Sequence, residues 1–203
     1  MVGALARDGF LFKDHSNLGP NSTAFVIPKS AVKCSLIADL RPVNEHTPRP
    51  LPKFSLPSMD SLANIWVQGG HKGWWGVTLD LTNCYWSLVL PEPWWECFRL
   101  EGYTYRTLPF GWNLSPVIAQ RSMSRLVFRY LVKAGVLLLI DMSLLTWVYL
   151  DDVFIIGKDR DLVESLGAGL ACFSAEQGFC VSVKSKLVPS QQVLWLGKEF
   201  DLL

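Results

Sequence analysis

Asp151 and Asp152 sit side by side between Trp147-Val148-Tyr149-Leu150 and Val153-Phe154-Ile155-Ile156. Apolar runs on both sides of a two-residue polar break predict two core strands joined by a tight hairpin, with both aspartates at its tip. Favoured tips contain Gly or Asn, and this one has neither. Adjacent carboxylates against an apolar hairpin are costly unless a cation neutralises them, so the stretch points to a divalent metal site. A lone Asp-Asp is more often a solvated turn. The metal reading therefore needs another carboxylate elsewhere in the chain.

A chain of 203 residues makes one domain, or two lobes sharing a core, and buries roughly 70% of its unfolded surface. Half of the residues are hydrophobic, nine are Trp and only 18% are charged, which argues against long disorder beyond the first two dozen positions. A net charge of +1 leaves any affinity for nucleic acid to the local placement of Lys and Arg. Cys34, Cys84, Cys97, Cys172 and Cys180 contain no C-x-x-C pair and fit the reduced thiols of an intracellular protein. His15, His46 and His71 have no ligand spacing, which argues against zinc. The N-terminus lacks the order of a secretion signal, and the longest apolar stretch, Leu126 to Ile156, is interrupted by Arg129, Lys133, Asp141, Asp151 and Asp152. The expectation is a soluble cytoplasmic or nuclear protein, neither secreted nor membrane-bound.

Phe25-Val26-Ile27 and Leu36-Ile37-Ala38 predict a strand pair, after which Pro42, Pro48, Pro50, Pro52 and Pro57 mark an extended connector and a lobe boundary. Ser58 is placed to cap a short helix through Leu62, Ile65 and Trp66, ended by Gly69-Gly70. A strand is predicted over Gly76 to Leu81, with Asp80 off the apolar face of Val77, Leu79 and Leu81. Cys97–Leu100 and Tyr103–Leu108 predict a hairpin around Glu101-Gly102. Helices are predicted from Ser115-Pro116, with a hydroxyl cap, to about Ala134, and from Asp159 to Gln177. On the first, Arg121, Arg125, Arg129 and Lys133 recur every four residues. A self-repelling ridge of this kind suits a polyanion, and it equally suits a solvated face opposite Met123, Leu126, Val127 and Tyr130.

Asp80 supplies the missing carboxylate. A strand aspartate plus a hairpin pair is what two-metal phosphoryl transfer requires, because Mg²⁺ prefers hard oxygen ligands and two ions about 4 Å apart clamp attacking and leaving oxygens. Asp80 and Asp151 are 71 residues apart, which leaves room for a hairpin and a crossover helix between neighbouring strands.

From about Phe25 to Phe200 the chain resembles the reverse transcriptases of retroviruses and retrotransposons. Phe25-Val26-Ile27-Pro28-Lys29 and Ala38-Asp39-Leu40-Arg41-Pro42-Val43-Asn44 resemble the fingers segment, and Val77 to Tyr85 the first catalytic motif. Leu108 to Pro116 resembles the second, Tyr149-Leu150-Asp151-Asp152 the tyrosine-x-aspartate-aspartate signature, and Leu194-Trp195-Leu196-Gly197 the primer grip. The Pro-Phe-Gly form of the second motif leans toward gypsy-like or tyrosine-recombinase retrotransposons.

The resemblance implies an α/β polymerase core with an antiparallel palm sheet backed by helices: fingers and N-terminal extension over 1–57, palm over 58–203 with inserted fingers elements and the primer-grip hairpin. It implies RNA-directed DNA polymerisation with two Mg²⁺ ions, Mn²⁺ being an alternative, held by Asp80 and Asp151 with Asp152 assisting. Lys186 is similar to the lysine that protonates the pyrophosphate leaving group. Tyr85 would be the steric gate against a 2′-hydroxyl, Phe110 and Gly111 part of the nucleotide pocket, and Lys29 a triphosphate contact. Arg41, the Arg121, Arg125 and Arg129 ridge, and Trp195, Leu196 and Gly197 would meet template and primer.

Two departures stand out. Lys33-Cys34-Ser35 lies where the family usually carries an arginine, so only Lys33 could meet the triphosphate there, as a point charge. The chain ends just beyond the primer grip, so thumb and ribonuclease H regions are expected from a longer polyprotein, and processivity is expected to be poor. An RNA-templated RNA polymerase palm and a domesticated nucleic-acid-binding fragment without catalysis remain the rival readings.

Overall fold

A computed structural model describes residues 6–7, 9, 11–13, 21–28, 34–58, 72–136 and 143–203. In chain order its elements are β1 (Leu11–Lys13), β2 (Asn21–Ser22), β3 (Ala24–Pro28), β4 (Cys34–Ala38), α1 (Arg41–Glu45), β5 (Trp75–Thr82), β6 (Arg99–Leu100) and β7 (Tyr103–Tyr105). There follow α2 (Ser115–Lys133), β8 (Leu144–Tyr149), β9 (Asp152–Gly157), α3 (Arg160–Glu176), β10 (Cys180–Val181), β11 (Lys186–Ser190), β12 (Gln192–Trp195) and β13 (Lys198–Asp201). The chain divides into two units, residues 1–53 with 85–118 and residues 54–84 with 119–203.

In the first unit β3 and β4 pair antiparallel from Ala24 opposite Ala38 to Pro28 opposite Cys34, the strand pair expected from their apolar runs. A second sheet has the order β1-β7-β6-β2, with β2 parallel to β6 and the other pairs antiparallel. Its core contains Leu11, Phe98, Leu100 and Leu108, all fully buried. Each such side chain contributes roughly 1.5–3 kcal/mol. The Trp112 ring meets Phe98 edge-on at 4.9 Å, and its indole N–H donates to the Thr47 hydroxyl at 3.1 Å. The Arg106 guanidinium lies 3.8 Å from the Phe12 ring centroid and 4.4 Å from that of Trp95.

The second unit is an antiparallel sheet of order β10-β5-β9-β8, with β11 also on β5. Helix α3 covers one face through Val163, Leu166, Leu170 and Phe173. It comes so close at Gly167 that a Cβ there would lie 2.9 Å from the Val77 side chain. This explains a glycine that weakens the helix in isolation. The opposite face packs Phe154 and Ile156 against Trp74, Val193, Trp195 and Leu202 under the β12–β13 hairpin.

Both long helices fall where the 3.6-residue pattern predicts. Asp159 caps α3, its carboxylate accepting from the N–H groups of Asp161 and Leu162 at 2.9 and 3.0 Å. Ser115 differs from the expected cap: its hydroxyl donates to the Pro109 carbonyl at 2.6 Å and ties the preceding loop to the helix instead. The helix expected after Ser58 falls largely on residues 59–71, outside the described residues. Among the described residues, no helix is long and apolar enough to cross a membrane.

Candidate active site

Strands β5 and β9 run antiparallel with Asp80 opposite Asp152. Directly opposed residues share a face of the sheet, with Cβ atoms about 4.5–5.5 Å apart. Tyr149 pairs with Asp152 on the other side. The two-residue tip is therefore Leu150-Asp151, and Asp152 is the first residue of β9 rather than part of the tip. Leu150 takes a left-handed φ of 53°, and the Asp151 carbonyl accepts the Leu81 N–H at 3.1 Å.

The electrostatics of the three carboxylates follow from this crowding. Burial pushes Asp152 up to about 6, the negative charges of Asp151 and Asp80 add to the rise, and Lys184 opposes it. Asp151 is also raised, first by burial and further by Asp80, against its own backbone N–H and Lys184. Nearby Cys84 is pushed up to about 12 by burial and by Asp151, so it remains a thiol rather than a thiolate ligand.

Lys184 owes its place to a break in the strand beside β5. Cys180 and Val181 pair with Thr82 and Leu81, and Lys186 resumes opposite Thr78. Between them the chain leaves the ladder opposite Asp80. The Ser182 N–H donates to the Asp80 carbonyl at 2.8 Å. The Ser185 hydroxyl accepts from the Asp80 N–H at 3.0 Å and donates to the Asp80 carbonyl at 3.2 Å. A side chain thus makes bonds that a continuous strand would make with backbone. The bulge brings Lys184 into the field of the carboxylates, while Lys186 sits exposed in β11. Neither the interruption nor the role of Ser185 is visible without the register.

In the first unit Tyr85 stacks on Phe110, with ring centroids 4.6 Å apart and planes 16° from parallel. Gly111 adopts φ 99°, and a Cβ there would lie 3.2 Å from the Ala38 carbonyl oxygen. Asn44 clamps this turn: its amide donates to the Gly111 carbonyl and accepts the Asn113 N–H, both at 2.9 Å. Arg41 is engaged in a two-pronged pair with Asp39 at 2.9 and 2.6 Å, which holds the Asp39 carboxyl below its usual range. Lys29 and Lys33 lie outside the described residues.

Trp195 is buried against Phe154 and Phe200 at 5.3 and 6.4 Å. Leu196 and Gly197, with φ 48° and 74°, form the turn beyond it. On α2, Arg121, Arg125 and Arg129 are exposed and have no acidic partner among the described residues. Lys133 lies 3.8 Å from Glu176.

Among the described residues, no group of three or more His, Cys, Asp or Glu side chains stands at metal-ligating spacing. Asp80, Asp151 and Asp152 do not make up such a group. Their chemistry nonetheless fits a hard divalent cation: oxygen donors, partly buried, mutually repelling, with Asp151 and Asp152 shifted toward protonation.

The family profile described as reverse transcriptase (RNA-dependent DNA polymerase) matches residues 27–200. The chain is 28% identical over 203 residues to the Gag-Pol polyprotein of Walleye dermal sarcoma virus, covering 98% of this chain and 11% of that protein. It is 26% identical over 222 residues to the Pol polyprotein of Ovine maedi visna related virus (strain South Africa), covering 98% and 18%. The fold matches a foamy viral protease-reverse transcriptase solved in complex with double-stranded DNA, with a TM-score of 0.72 and 22% identity over 98% of this chain and 32% of that one. With the match spanning 27–200 and so taking in every motif from Ile27 to the primer-grip segment, the chain belongs to the reverse transcriptase family.

Proposed function

We propose that this chain is the catalytic core of an RNA-directed DNA polymerase that adds deoxynucleotides to the 3′-hydroxyl of a primer on an RNA or DNA template. The observation that carries the reading is the pairing of Asp80 with Asp152, with Asp151 in the adjoining turn. Asp80, Asp151 and Asp152 would hold divalent cations, Mg²⁺ or Mn²⁺, which supply a lowered pKa for the attacking hydroxyl and neutralise triphosphate charge.

The chain's own groups have separate tasks. Lys184 offsets the carboxylate charge, and it or Lys186 would give a proton to departing pyrophosphate. Tyr85, braced by Phe110, would exclude a 2′-hydroxyl. Lys29 and Lys33 would meet the triphosphate. Arg41, Arg121, Arg125 and Arg129 would follow nucleic-acid phosphates. Since Trp195 is core, Leu196 and Gly197 are the part of that hairpin that would touch the primer. The longer polyproteins among the relatives suggest that further regions complete the enzyme.

The test is extension of a primed RNA template by deoxynucleotides with and without Mg²⁺. Metal-dependent extension that Asp151→Asn abolishes is expected. A blank assay, or one that Asp151→Asn leaves unchanged, overturns the reading.

A further inference from the structure

Strand β8 is an edge strand among the described residues, so the backbone groups on its outer side have no ladder partner among them. Tyr149 turns its backbone toward Asp152 of β9, which leaves the Val148 carbonyl and the Leu150 N–H facing away from the sheet. Gln120 on α2 meets both. Its Nε2 donates to the Val148 carbonyl at 2.9 Å, and its Oε1 accepts the Leu150 N–H at 2.7 Å. The primary amide reproduces the donor and acceptor of a peptide unit, and it does so in a residue only 7% exposed. Nε2 has a further contact with the Ser124 hydroxyl at 3.3 Å.

The geometry points to Gln120 as a positioning residue for Asp151: by holding the backbone on both sides of Tyr149, it fixes the left-handed Leu150 and so the direction in which the next residue presents its carboxylate to a metal ion. Leu150 is a γ-branched residue at φ 53°, where glycine or asparagine would rest without strain. Such a conformation persists when its surroundings over-determine it, and here the bond from the Leu150 N–H is the constraint closest to it. The Asp151 carboxylate is held by its own backbone N–H, so it turns with that backbone. The inference rests on the polymerase reading for its purpose, but its test does not depend on polymerisation.

The test uses the full chain with Mn²⁺ alone as probe, read by electron paramagnetic resonance, together with hydrogen exchange at the Leu150 amide. Gln120→Met keeps the length of the side chain and loses both bonds. A loss of about tenfold in Mn²⁺ affinity and faster exchange at Leu150 are expected, with primer extension losing kcat more than KM. A folded Gln120→Met protein with the Mn²⁺ affinity of the parent overturns the inference. Should that variant fail to fold, Gln120→Glu decides. It keeps the acceptor for Leu150, loses the donor to Val148 and adds negative charge. Weaker Mn²⁺ binding despite that charge supports positioning; equal or tighter binding overturns it. A parent protein that binds Mn²⁺ and extends no primer sinks the polymerase reading alone.

Discussion

Asp80 and Asp152 hold opposing positions in the β5–β9 ladder, and Tyr149 extends the same row onto β8. One row below, Thr78, Phe154 and Trp147 continue that face into the aromatic core. The acidic row is therefore the wet end of an otherwise apolar surface. Its position explains why burial is the first cause of the raised pKa at both Asp151 and Asp152.

This placement sets a pH dependence for the metal-free protein. Asp152 in the folded state titrates at about 6, above its ordinary 3.8. Between those values the folded chain binds more protons than the unfolded one, so stability falls as pH rises through that window and levels off above it. Asp152→Asn removes this loss. Melting curves in chelator should show the variant more stable than the parent at pH 8 and close to it at pH 4, whereas a variant melting lower at pH 8 would contradict mutual repulsion.

The two lysines of the interrupted strand should separate cleanly. Lys184→Met removes the positive charge that lowers both carboxylates, so the acid limb of the extension pH profile should move to higher pH. Lys186→Met should leave that limb in place. Equal shifts for both variants would argue against the assignment of Lys184.

Tyr85 gives a readout in sugar selectivity. Tyr85→Ala removes the stack with Phe110 at 4.6 Å, worth about 0.5–1.5 kcal/mol beyond its buried area. It should also raise the kcat/KM of ribonucleotides relative to deoxynucleotides. An unchanged ratio in a folded variant would favour an RNA-synthesising palm.

Gly111→Ala places a Cβ at φ 99° and 3.2 Å from the Ala38 carbonyl oxygen, a backbone atom held by the β3–β4 pairing. Urea unfolding should show a loss of about 1–3 kcal/mol. Gly102→Ala also has positive φ but meets nothing within 4 Å, so its cost should be smaller. Comparing the two separates the contact from the dihedral.

Much of the framework was legible because it depends on local periodicity. The alternation around Asp80 predicted β5 to within a residue at each end, and Ser115-Pro116 and Asp159 marked both helix starts. What escaped depends on register. Asp152 could not be assigned to a strand from its neighbours alone, since Leu150 supplies the positive φ usually left to Gly or Asn. Lys184 and Ser185 acquire meaning only where β10 and β11 leave Asp80 between them. Gln120 reads as an ordinary polar residue on a helix until the edge of β8 is seen beside it.

The interleaving of the two units along the chain governs the order of folding. Residues 54–84 belong with 119–203, and the stretch 85–118 belongs with 1–53. Strand β5 thus leaves the ribosome about 70 residues ahead of β9 and about 100 ahead of β11, its partners on either side. Until those arrive its apolar residues stay unshielded, a condition that invites aggregation and slows closure. Synthesis at reduced temperature, or alongside a holdase chaperone, should therefore raise the soluble yield, and no single cut in the chain would release either half as an autonomous piece.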